Sequence, residues 1–509
     1  MTKSFNKMNL YLSSISGILL ILIFPKFDLE FIAWFALVPF LLSVSMANNQ
    51  RSAFKKGFTT GFIYFLGTTY WVVNSIYYYG PLPFSLSITI LLVMVIILSL
   101  YIGLFGFLYH LISKRLPLPS SILAPLLWTS IELSRTYLLS GFPWSSLGYS
   151  QYKTLPVIQI ADITGVYGIS FLIAAVNGSI MDLIMFRKTK RKSLLFGPAL
   201  STILLIIAIG YGFQTLKEPD AGRAIKISLI QGNIEQDKKW DKKYQRDVFD
   251  TYLRLTGESL KNNPDIVIWP EASTPFYFGR DKEYTDKLTS FVKEHKIYLL
   301  FGTPRVKSFE KRKYSLANSA YLLSPAGEIK GSYDKIHLVP FGEYVPLKKI
   351  LFFVNKLVVG VGDFVSGDRY EIFETPKGRF GTVICYEIIF PGLVRKFIKG
   401  GAEYIVTITN DAWFGKTSAP YQHFSMAVLR AVENRTPVAR AANTGVSGFI
   451  DPYGRILMAS GIFQEGAYSG NIRIGSRKTF YTTHGDIFAY ICLGLTIVMV
   501  FFSVIKRNK

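Results

Sequence analysis

Residues 381–387 read Gly381-Thr-Val-Ile-Cys-Tyr-Glu387, an aliphatic run that ends in a cysteine and a glutamate. A short run of β-branched and aliphatic residues is typical of a buried strand, so Cys385 is expected at a strand end. The only other cysteine of the sequence, Cys492, lies in the last apolar run. Outside the cytoplasm structural cysteines normally pair, so an unpaired thiol there is a candidate reactive group. A buried cysteine that acts as a small hydrophobe is the alternative.

Aliphatic runs of the same kind recur on both sides of Cys385. Together with the run that ends at Cys385, they predict strands at 225–231, 265–269, 297–302, 319–323, 380–385 and 404–409. Polar segments with helical spacing lie between several of them, at 244–261, 282–295 and 421–434. Alternation of strands and helices predicts an α/β sandwich whose loops gather at the strand ends, and reactive side chains are expected there.

Three of these strand ends carry polar side chains that an apolar core would not select. Glu271 follows the run 265–269, Lys335 lies in the stretch 333–346, and Cys385 ends its own run. A carboxylate, an ammonium and a thiol together can form a nucleophilic acyl-transfer centre. Roughly 3% of an unperturbed thiol is thiolate at pH 7, so a base and a nearby cation are both needed. We therefore predict Glu271 as general base, Lys335 as oxyanion stabiliser and Cys385 as nucleophile.

Long apolar blocks surround this region. Half of the 509 residues are hydrophobic, which is typical of a polytopic membrane protein. With roughly 20 apolar residues per crossing, the sequence predicts an α-helical bundle of about eight spans, at 10–24, 31–45, 57–76, 85–111, 122–139, 166–184, 194–213 and 486–505.

The formal charge of +23 follows the spans in an alternating pattern. Every second connection is basic, as in the run of five at 187–192, while the connections between them have few positive charges. The positive-inside rule then places both termini in the cytoplasm and the polar domain outside it. We predict a membrane domain at 1–217, an extracytoplasmic domain at 218–480 and a last span with a basic tail at 481–509. This distribution argues against nucleic-acid binding.

Several motifs together resemble a known family. Trp269-Pro-Glu-Ala-Ser273, Tyr333-Asp-Lys-Ile-His-Leu-Val-Pro-Phe-Gly-Glu-Tyr-Val-Pro346 and Ile384-Cys-Tyr-Glu387 are similar to the Glu, Lys and Cys motifs of the nitrilase superfamily. With Gln231-Gly-Asn-Ile234, Thr409-Asn-Asp-Ala-Trp-Phe-Gly415 and the flanking spans, the whole chain resembles the apolipoprotein N-acyltransferases of the bacterial inner membrane. The resemblance implies an α-β-β-α sandwich of nitrilase type on a membrane bundle.

The resemblance also implies a two-step acyltransferase reaction, the last step of lipoprotein maturation. Cys385 would take an acyl chain from a phospholipid, usually phosphatidylethanolamine, and pass it to the α-amine of a diacylglyceryl-cysteine at the start of an apolipoprotein. Family positions with supporting roles match Trp240, Glu343, Tyr386 and Glu387. No metal or cofactor is expected, because the chemistry needs only proton transfer and oxyanion stabilisation. A monomer is expected, since one chain holds both the bundle and the triad.

Two further segments are candidates for lipid access. Residues 350–361 are too short to span a membrane and too apolar for an aqueous surface, and they contain Phe352 and Phe353. We predict an interfacial loop there, with a core helix as the alternative. The segment Gly141-Phe-Pro-Trp-Ser-Ser-Leu-Gly-Tyr-Ser-Gln151 is a further family match and places Trp144 and Tyr149 as candidates.

Other functions share part of this pattern. A membrane-anchored carbon–nitrogen hydrolase or amidase would use the same triad but release the acyl group to water. A transporter would account for the spans and leave the triad as coincidence, and a lipoprotein-binding scaffold would not turn over. His337 and His423 are interpreted as structural residues.

Overall fold

The structure is a computed structural model that describes residues 2–80, 82–218, 222–310, 313–344, 363–475 and 478–506. Its contacts divide the chain into two compact units. The first comprises Met1–Tyr70, Ser85–Glu218 and His484–Lys509, and the second comprises Trp71–Phe84 and Pro219–Thr483. The short segment Trp71–Phe84 thus groups with the unit that contains Cys385, although it lies among the predicted spans.

The first unit is helical, and the described α-helices of the whole chain are numbered in order. They are α1 Thr2–Leu22, α2 Val38–Ser45, α3 Gln50–Thr69, α4 Val72–Tyr79, α5 Phe84–Ser113, α6 Ser120–Tyr137, α7 Leu155–Ile158, α8 Ala161–Thr164, α9 Val166–Thr189, α10 Phe196–Leu216, α11 Gln236–Lys239, α12 Gln245–Ser259, α13 Lys282–His295, α14 Pro391–Lys399, α15 Ala419–Asn434, α16 Phe480–His484 and α17 Ile487–Ile505.

Four helical segments of the described chain are long and apolar enough to cross a membrane, by length and composition: Phe84–Ser113, Val166–Thr189, Lys192–Leu216 and Ile487–Ile505. They coincide with four of the eight predicted spans. The span predicted at 31–45 is not one helix, because a 3₁₀ turn at Glu30–Trp34 precedes the eight-residue α2. The span predicted at 57–76 is likewise divided between α3 and α4.

Glu132 and Arg135 bind the loop that follows α6. Glu132 accepts hydrogen bonds from Trp128 Nε1 (2.8 Å) and from the backbone N–H of Leu147 (2.7 Å). Arg135 donates to the backbone carbonyls of Phe142 and Trp144. These two buried side chains hold a loop that contains two short 3₁₀ segments inside the helical unit, where its backbone groups need partners.

The second unit is built on two sheets. Its described strands are β1 Arg223–Gln231, β2 Ile266–Ile268, β3 Leu299–Glu310, β4 Lys313–Leu323, β5 Ile329–Asp334, β6 Asp363–Phe364, β7 Ile372–Thr375, β8 Gly378–Ile384, β9 Tyr404–Thr409, β10 Val438–Ala442, β11 Gly448–Ile450, β12 Ile456–Ala459 and β13 Gly466–Ile474. The strand order is β13-β1-β2-β3-β4-β5 in one sheet, with β6 on β4, and β12-β11-β10-β9-β8-β7 in the other.

The sheets face each other through β1 with β10 and β4 with β8, and helices cover both outer faces. Val248 and Phe249 of α12 and Leu288 of α13 pack on Trp269 and Phe301 of the first sheet. Helices α14 and α15 pack on β8 and β10 of the second sheet. The four layers form the predicted α-β-β-α sandwich, because each sheet has apolar side chains on both faces.

Strand direction brings the predicted site residues toward one edge. Strands β1, β2 and β3 are parallel, and two antiparallel pairings, β3 with β4 and β4 with β5, make β5 parallel to them again. Glu271 after β2 and Lys335 after β5 therefore follow the carboxyl ends of strands at the same edge of the sheet. In the facing sheet β8, β9 and β10 are also parallel, and Cys385 directly follows β8.

Candidate active site

Cys385 occupies the first position after β8 with a left-handed backbone, at φ 53°. L-residues other than Asn and Asp rarely adopt this conformation, which is common where a nucleophile stands on a sharp turn. The residue is 8% exposed. Burial and the Glu271 carboxylate raise the pKa of the thiol, while Lys335 and a hydrogen bond with Thr409 oppose that rise. The resting group is a thiol that has to be deprotonated during reaction.

Glu271 is held at both carboxylate oxygens. Its Oε1 accepts a hydrogen bond from Asn318 Nδ2 (2.7 Å), and its Oε2 accepts one from the backbone N–H of Asn410 (2.8 Å). The Nζ of Lys335 lies 3.8 Å from Oε1. The next residue, Ala272, has φ 46°, so the chain turns sharply directly after Glu271. These contacts fix the carboxylate near the thiol, whose pKa it raises.

Lys335 lies among carboxylates and is 1% exposed. Its Nζ is 2.9 Å from Oε2 and 3.0 Å from Oε1 of Glu343. Burial disfavours the ammonium, but Glu343 and Glu271 outweigh it and raise the pKa of Lys335 above its usual range. Glu343 also accepts hydrogen bonds from Asn318 Nδ2 (3.0 Å) and the backbone N–H of Val339 (2.8 Å). Lys335 therefore stays charged throughout the neutral range, as an oxyanion stabiliser requires.

Glu387 ties the nucleophile turn to the lysine turn. Its carboxylate accepts four hydrogen bonds: from Tyr333 Oη (2.7 Å) and from the backbone N–H groups of Ile336 (2.7 Å), His337 (3.0 Å) and Ile384 (2.7 Å). The side chain is fully buried, and burial raises the pKa of Glu387 to about 7 although the donors oppose that rise. Glu387 thus positions the turn that carries Lys335 relative to the turn that carries Cys385.

Tyr386 follows the nucleophile and is 9% exposed. Its ring packs edge-on against Phe390 (5.1 Å between centroids) and near His337 (5.8 Å). The backbone of Tyr386 is adjacent to the reacting sulfur, which makes its N–H a candidate donor to an oxyanion.

Trp240 lines a cavity of about 330 Å³ within the second unit. The other lining residues are Tyr78, Tyr79, Gly80, Gln236, Asp237 and Trp413. Hydrogen bonds of Asn410 connect this cavity to Glu271: Asn410 Nδ2 donates to Gln236 Oε1 (2.7 Å), and the Asn410 N–H donates to Glu271. The structure therefore places Trp240 beside a cavity on the Glu271 side of the site.

Three residues of the site were not identified from the sequence. Asn318 on β4 bridges Glu271 and Glu343, and Asn410 after β9 holds Glu271. Lys239 is fully buried and donates to the backbone carbonyl of Glu271 (2.9 Å). The sequence offered a hint for Asn410, because it lies in the quoted Thr409–Gly415 motif. It offered none for Asn318, a lone Asn within a strand, or for Lys239, one of several charged residues in a polar run.

The structure gives less information on the four residues predicted for lipid access. Trp144 and Tyr149 are each 1% exposed within the helical unit, and Trp144 stacks on Phe142 (6.1 Å). Phe352 and Phe353, with the rest of 350–361, lie outside the described residues. A role of all four in lipid access stays a prediction. Among the described residues, no group of three or more His, Cys, Asp or Glu side chains could hold a metal ion.

Two family models match the chain. Residues 16–179 match the apolipoprotein N-acyltransferase N-terminal domain, and residues 226–479 match the carbon–nitrogen hydrolase family. An apolipoprotein N-acyltransferase of Geobacter metallireducens is 44% identical over 94% of this chain and 92% of the relative. One of Chlorobaculum tepidum is 30% identical over 98% of this chain and 97% of the relative.

The similarity covers both units and nearly the full length of each relative. It also agrees with apolar helices that are long enough to cross a membrane. The chain is therefore a bacterial membrane protein with a carbon–nitrogen hydrolase domain, and it belongs to the apolipoprotein N-acyltransferase family.

Proposed function

We propose that this protein transfers an acyl chain from a phospholipid, with phosphatidylethanolamine as the preferred donor, to the α-amine of an apolipoprotein's S-diacylglyceryl-cysteine. The observation that carries the proposal is one buried site in which Lys335 Nζ lies 3.8 Å from Glu271 Oε1 and both side chains act on the pKa of the Cys385 thiol. Membership in an acyltransferase family supports transfer over the hydrolase alternative.

In the first half-reaction the Glu271 carboxylate removes the proton of the Cys385 thiol, and the sulfur attacks the ester carbonyl carbon of the phospholipid. The carbonyl oxygen becomes negative and is stabilised by the Lys335 ammonium and by the Tyr386 N–H. When the intermediate collapses, the glyceryl oxygen leaves and takes the proton from Glu271. The products are a thioester on Cys385 and a lysophospholipid.

In the second half-reaction the neutral α-amine of the acceptor attacks the thioester carbonyl. Glu271 takes a proton from the attacking nitrogen, and the same donors stabilise the oxyanion. Collapse breaks the carbon–sulfur bond, and the Cys385 sulfur regains a proton from Glu271. The product is an amide on a triacylated lipoprotein, and the thiol is restored.

The membrane arrangement is part of the proposal. Residues 1–217 and 481–509 form the membrane domain with about eight spans and cytoplasmic termini, and residues 218–480 form a periplasmic domain. The alternation of basic loops supports this orientation in the inner membrane. Phe352, Phe353, Trp144 and Tyr149 are the residues proposed for lipid access. The enzyme acts as a monomer, because one chain carries all three reacting side chains.

Mass spectrometry of the intact, purified protein tests the chemistry. After incubation with phosphatidylethanolamine in micelles, we expect an acyl adduct on wild-type protein and none on C385A, with C492A as the matched cysteine control. The adduct should persist in water and disappear when a diacylglyceryl-cysteine peptide is added. Rapid loss of the adduct in water alone would support the hydrolase, and an adduct on C385A would contradict the assignment of the nucleophile.

A further inference from the structure

A buried charge network lies directly behind the nucleophile. The side chains of Asp411, His423 and Arg440 are fully buried. Arg440 Nη2 donates to Asp411 Oδ2 (2.8 Å) and lies 3.0 Å from His423 Nδ1. Thr409 Oγ1 donates to Asp411 Oδ1 (2.8 Å), which is 3.1 Å from His423 Nδ1. On the opposite side of the ring, His423 Nε2 is 3.1 Å from the backbone carbonyl oxygen of Cys385.

The partners of His423 determine which ring nitrogen carries the proton. A carbonyl oxygen only accepts hydrogen bonds, so Nε2 must carry the hydrogen that is donated to Cys385. Nδ1 lies between Arg440, which only donates, and Asp411, which only accepts, so Nε2 is the donor to Cys385 whether or not Nδ1 is protonated. Burial and the Arg440 charge lower the pKa of His423 and favour the neutral form, although Asp411 acts in the opposite direction. The network therefore fixes an Nε2–H donor that points at the nucleophile's own carbonyl.

That hydrogen bond fixes a peptide plane at the site. The Cys385 carbonyl and the Tyr386 N–H belong to the same planar trans peptide, so they point in opposite directions. When His423 holds the oxygen on its own side, the Tyr386 N–H has to point away from His423. We propose that His423 is a positioning residue that orients the Tyr386 N–H toward the oxyanion. This inference rests on the proposed acyl transfer.

The backbone conformation of Cys385 explains why its carbonyl needs a fixed hydrogen-bond partner. A left-handed conformation of a residue other than Gly is unfavourable and persists only where surrounding contacts impose it. Glu387 holds this turn through the N–H of Ile384, before the nucleophile. His423 holds the carbonyl of Cys385, after it. The two contacts flank the strained residue, so neither makes the other redundant.

Two variants separate positioning from packing. In H423Q the side-chain amide nitrogen reaches about as far from the backbone as Nε2 and can still donate to Cys385. In H423N the amide nitrogen stops near the position of Nδ1 and cannot reach that carbonyl. Both variants remain polar and neutral, so they form a matched pair. Each is prepared as the full chain in detergent micelles, and its thermal unfolding is recorded.

Two reactions of Cys385 are then compared. Acylation by phosphatidylethanolamine forms an oxyanion, whereas alkylation by iodoacetamide forms a carbon–sulfur bond, expels iodide and forms none. Removal of one oxyanion donor costs roughly 100–1,000-fold, so we expect H423N, in which the donor is misaligned, to acylate about 10–100-fold more slowly. H423Q should stay within about 3-fold of wild type, and alkylation of both variants should change less than about 3-fold, because neither change removes the nucleophile or its base.

Three other outcomes of these rate measurements would overturn the inference. H423N that acylates at the wild-type rate shows that the contact is not needed. If H423Q acylates as slowly as H423N, whether or not the variants remain folded, His423 has a structural role. If alkylation by iodoacetamide slows as much as acylation, the defect lies at the sulfur and not at the oxyanion donor. Wild-type protein that gains no acyl chain contradicts the proposed function instead, so the two failures are distinguishable.

Discussion

Lys239 places an ammonium in a position that water does not reach. Burial lowers its pKa to about 8, while the charges of Glu271 and Cys385 act in the opposite direction. The unfolded chain keeps the ordinary value of 10.5, so the buried cation costs on the order of 3 kcal/mol of stability below pH 8. This cost diminishes as the pH rises from about 8 to 10.5. A residue that destabilises the fold beside the base indicates a functional role.

We predict that Lys239 produces an alkaline limb in the acylation rate. Its charge favours the Cys385 thiolate and is lost as the pH rises through about 8, so wild-type acylation should decline there. K239R should keep its charge and lack this decline, and K239M should be roughly 10-fold slower at pH 7, less than the loss of a direct oxyanion donor. The measurement is the pH profile of the acylation rate.

The control for this prediction is K238M, because Lys238 is the exposed neighbour and pairs with the exposed Glu235 (3.0 Å). Its profile should match wild type. A decline near pH 8 that persists unchanged in K239R would contradict the assignment of that limb to Lys239.

Glu387 offers a second test at the residue scale. In E387Q an amide nitrogen replaces one carboxylate oxygen, so a buried N–H donor then faces another donor. A buried unsatisfied group costs about 1–3 kcal/mol, and we expect a lower thermal midpoint together with acylation at least about 10-fold slower. The control is E374Q, since Glu374 is exposed on β7. Wild-type acylation by E387Q would show that the two turns do not depend on this carboxylate.

At the scale of elements, α4 packs on the turn that follows β9. The carbonyl of Trp413 accepts hydrogen bonds from Asn74 Nδ2 (3.1 Å) and Ser75 Oγ (2.8 Å), and Trp71 packs edge-on against Phe414 (4.8 Å). The same turn begins at Asn410, whose N–H holds Glu271. Helix α4, which begins inside the span predicted at 57–76, thus contacts the turn that holds Glu271.

G415A tests this contact. Gly415 has φ +60°, and an added Cβ would lie 2.7 Å from Asn74 Nδ2, so the side chain and the turn must move apart. We expect acylation to fall roughly 10-fold, because small displacements of a positioned group are costly in catalysis. The measurement is the acylation rate with thermal unfolding recorded in parallel.

The matched control is G257A in α12, where an added Cβ meets nothing within 4 Å. Alanine in a helix interior stabilises by about 0.5–1 kcal/mol relative to glycine, so G257A should be neutral or stabilising. Equal acylation rates for G415A and G257A would contradict a role of α4 in supporting the base.

At the scale of the whole molecule, the proposed orientation can be tested by accessibility. In a C385S/C492S background, E294C lies on the exposed face of α13 and K188C at the exposed end of α9. The positive-inside rule predicts that a membrane-impermeant maleimide labels E294C in intact spheroplasts and K188C only after permeabilisation. The reverse pattern would invert the proposed topology.

The sequence alone determined the architecture of the carbon–nitrogen hydrolase domain, and it predicted the candidate reacting groups. Glu271 and Cys385 were predicted because each follows a strand that a local aliphatic run reveals. Lys335 was predicted from its motif, since it follows β5, a strand that no predicted run covers. The strands predicted from the aliphatic runs and the helices at 244–261, 282–295 and 421–434 are confirmed. The membrane spans were predicted less well, because hydropathy reports apolar content and does not report where a helix breaks. The segment 31–45, predicted as one span, is divided into a 3₁₀ turn and a short helix.

Only the tertiary structure decided how those groups are held. Asn318 meets Glu271 across 47 positions, Asn410 across 139 and Lys239 across 32, and His423 reaches the Cys385 carbonyl across 38. Periodicity in a sequence reports which face of one element is buried, but it has no information on which distant element packs against that face. The charge state and orientation of a buried group depend on those distant neighbours, so they became visible only when the sheets and helices were assembled.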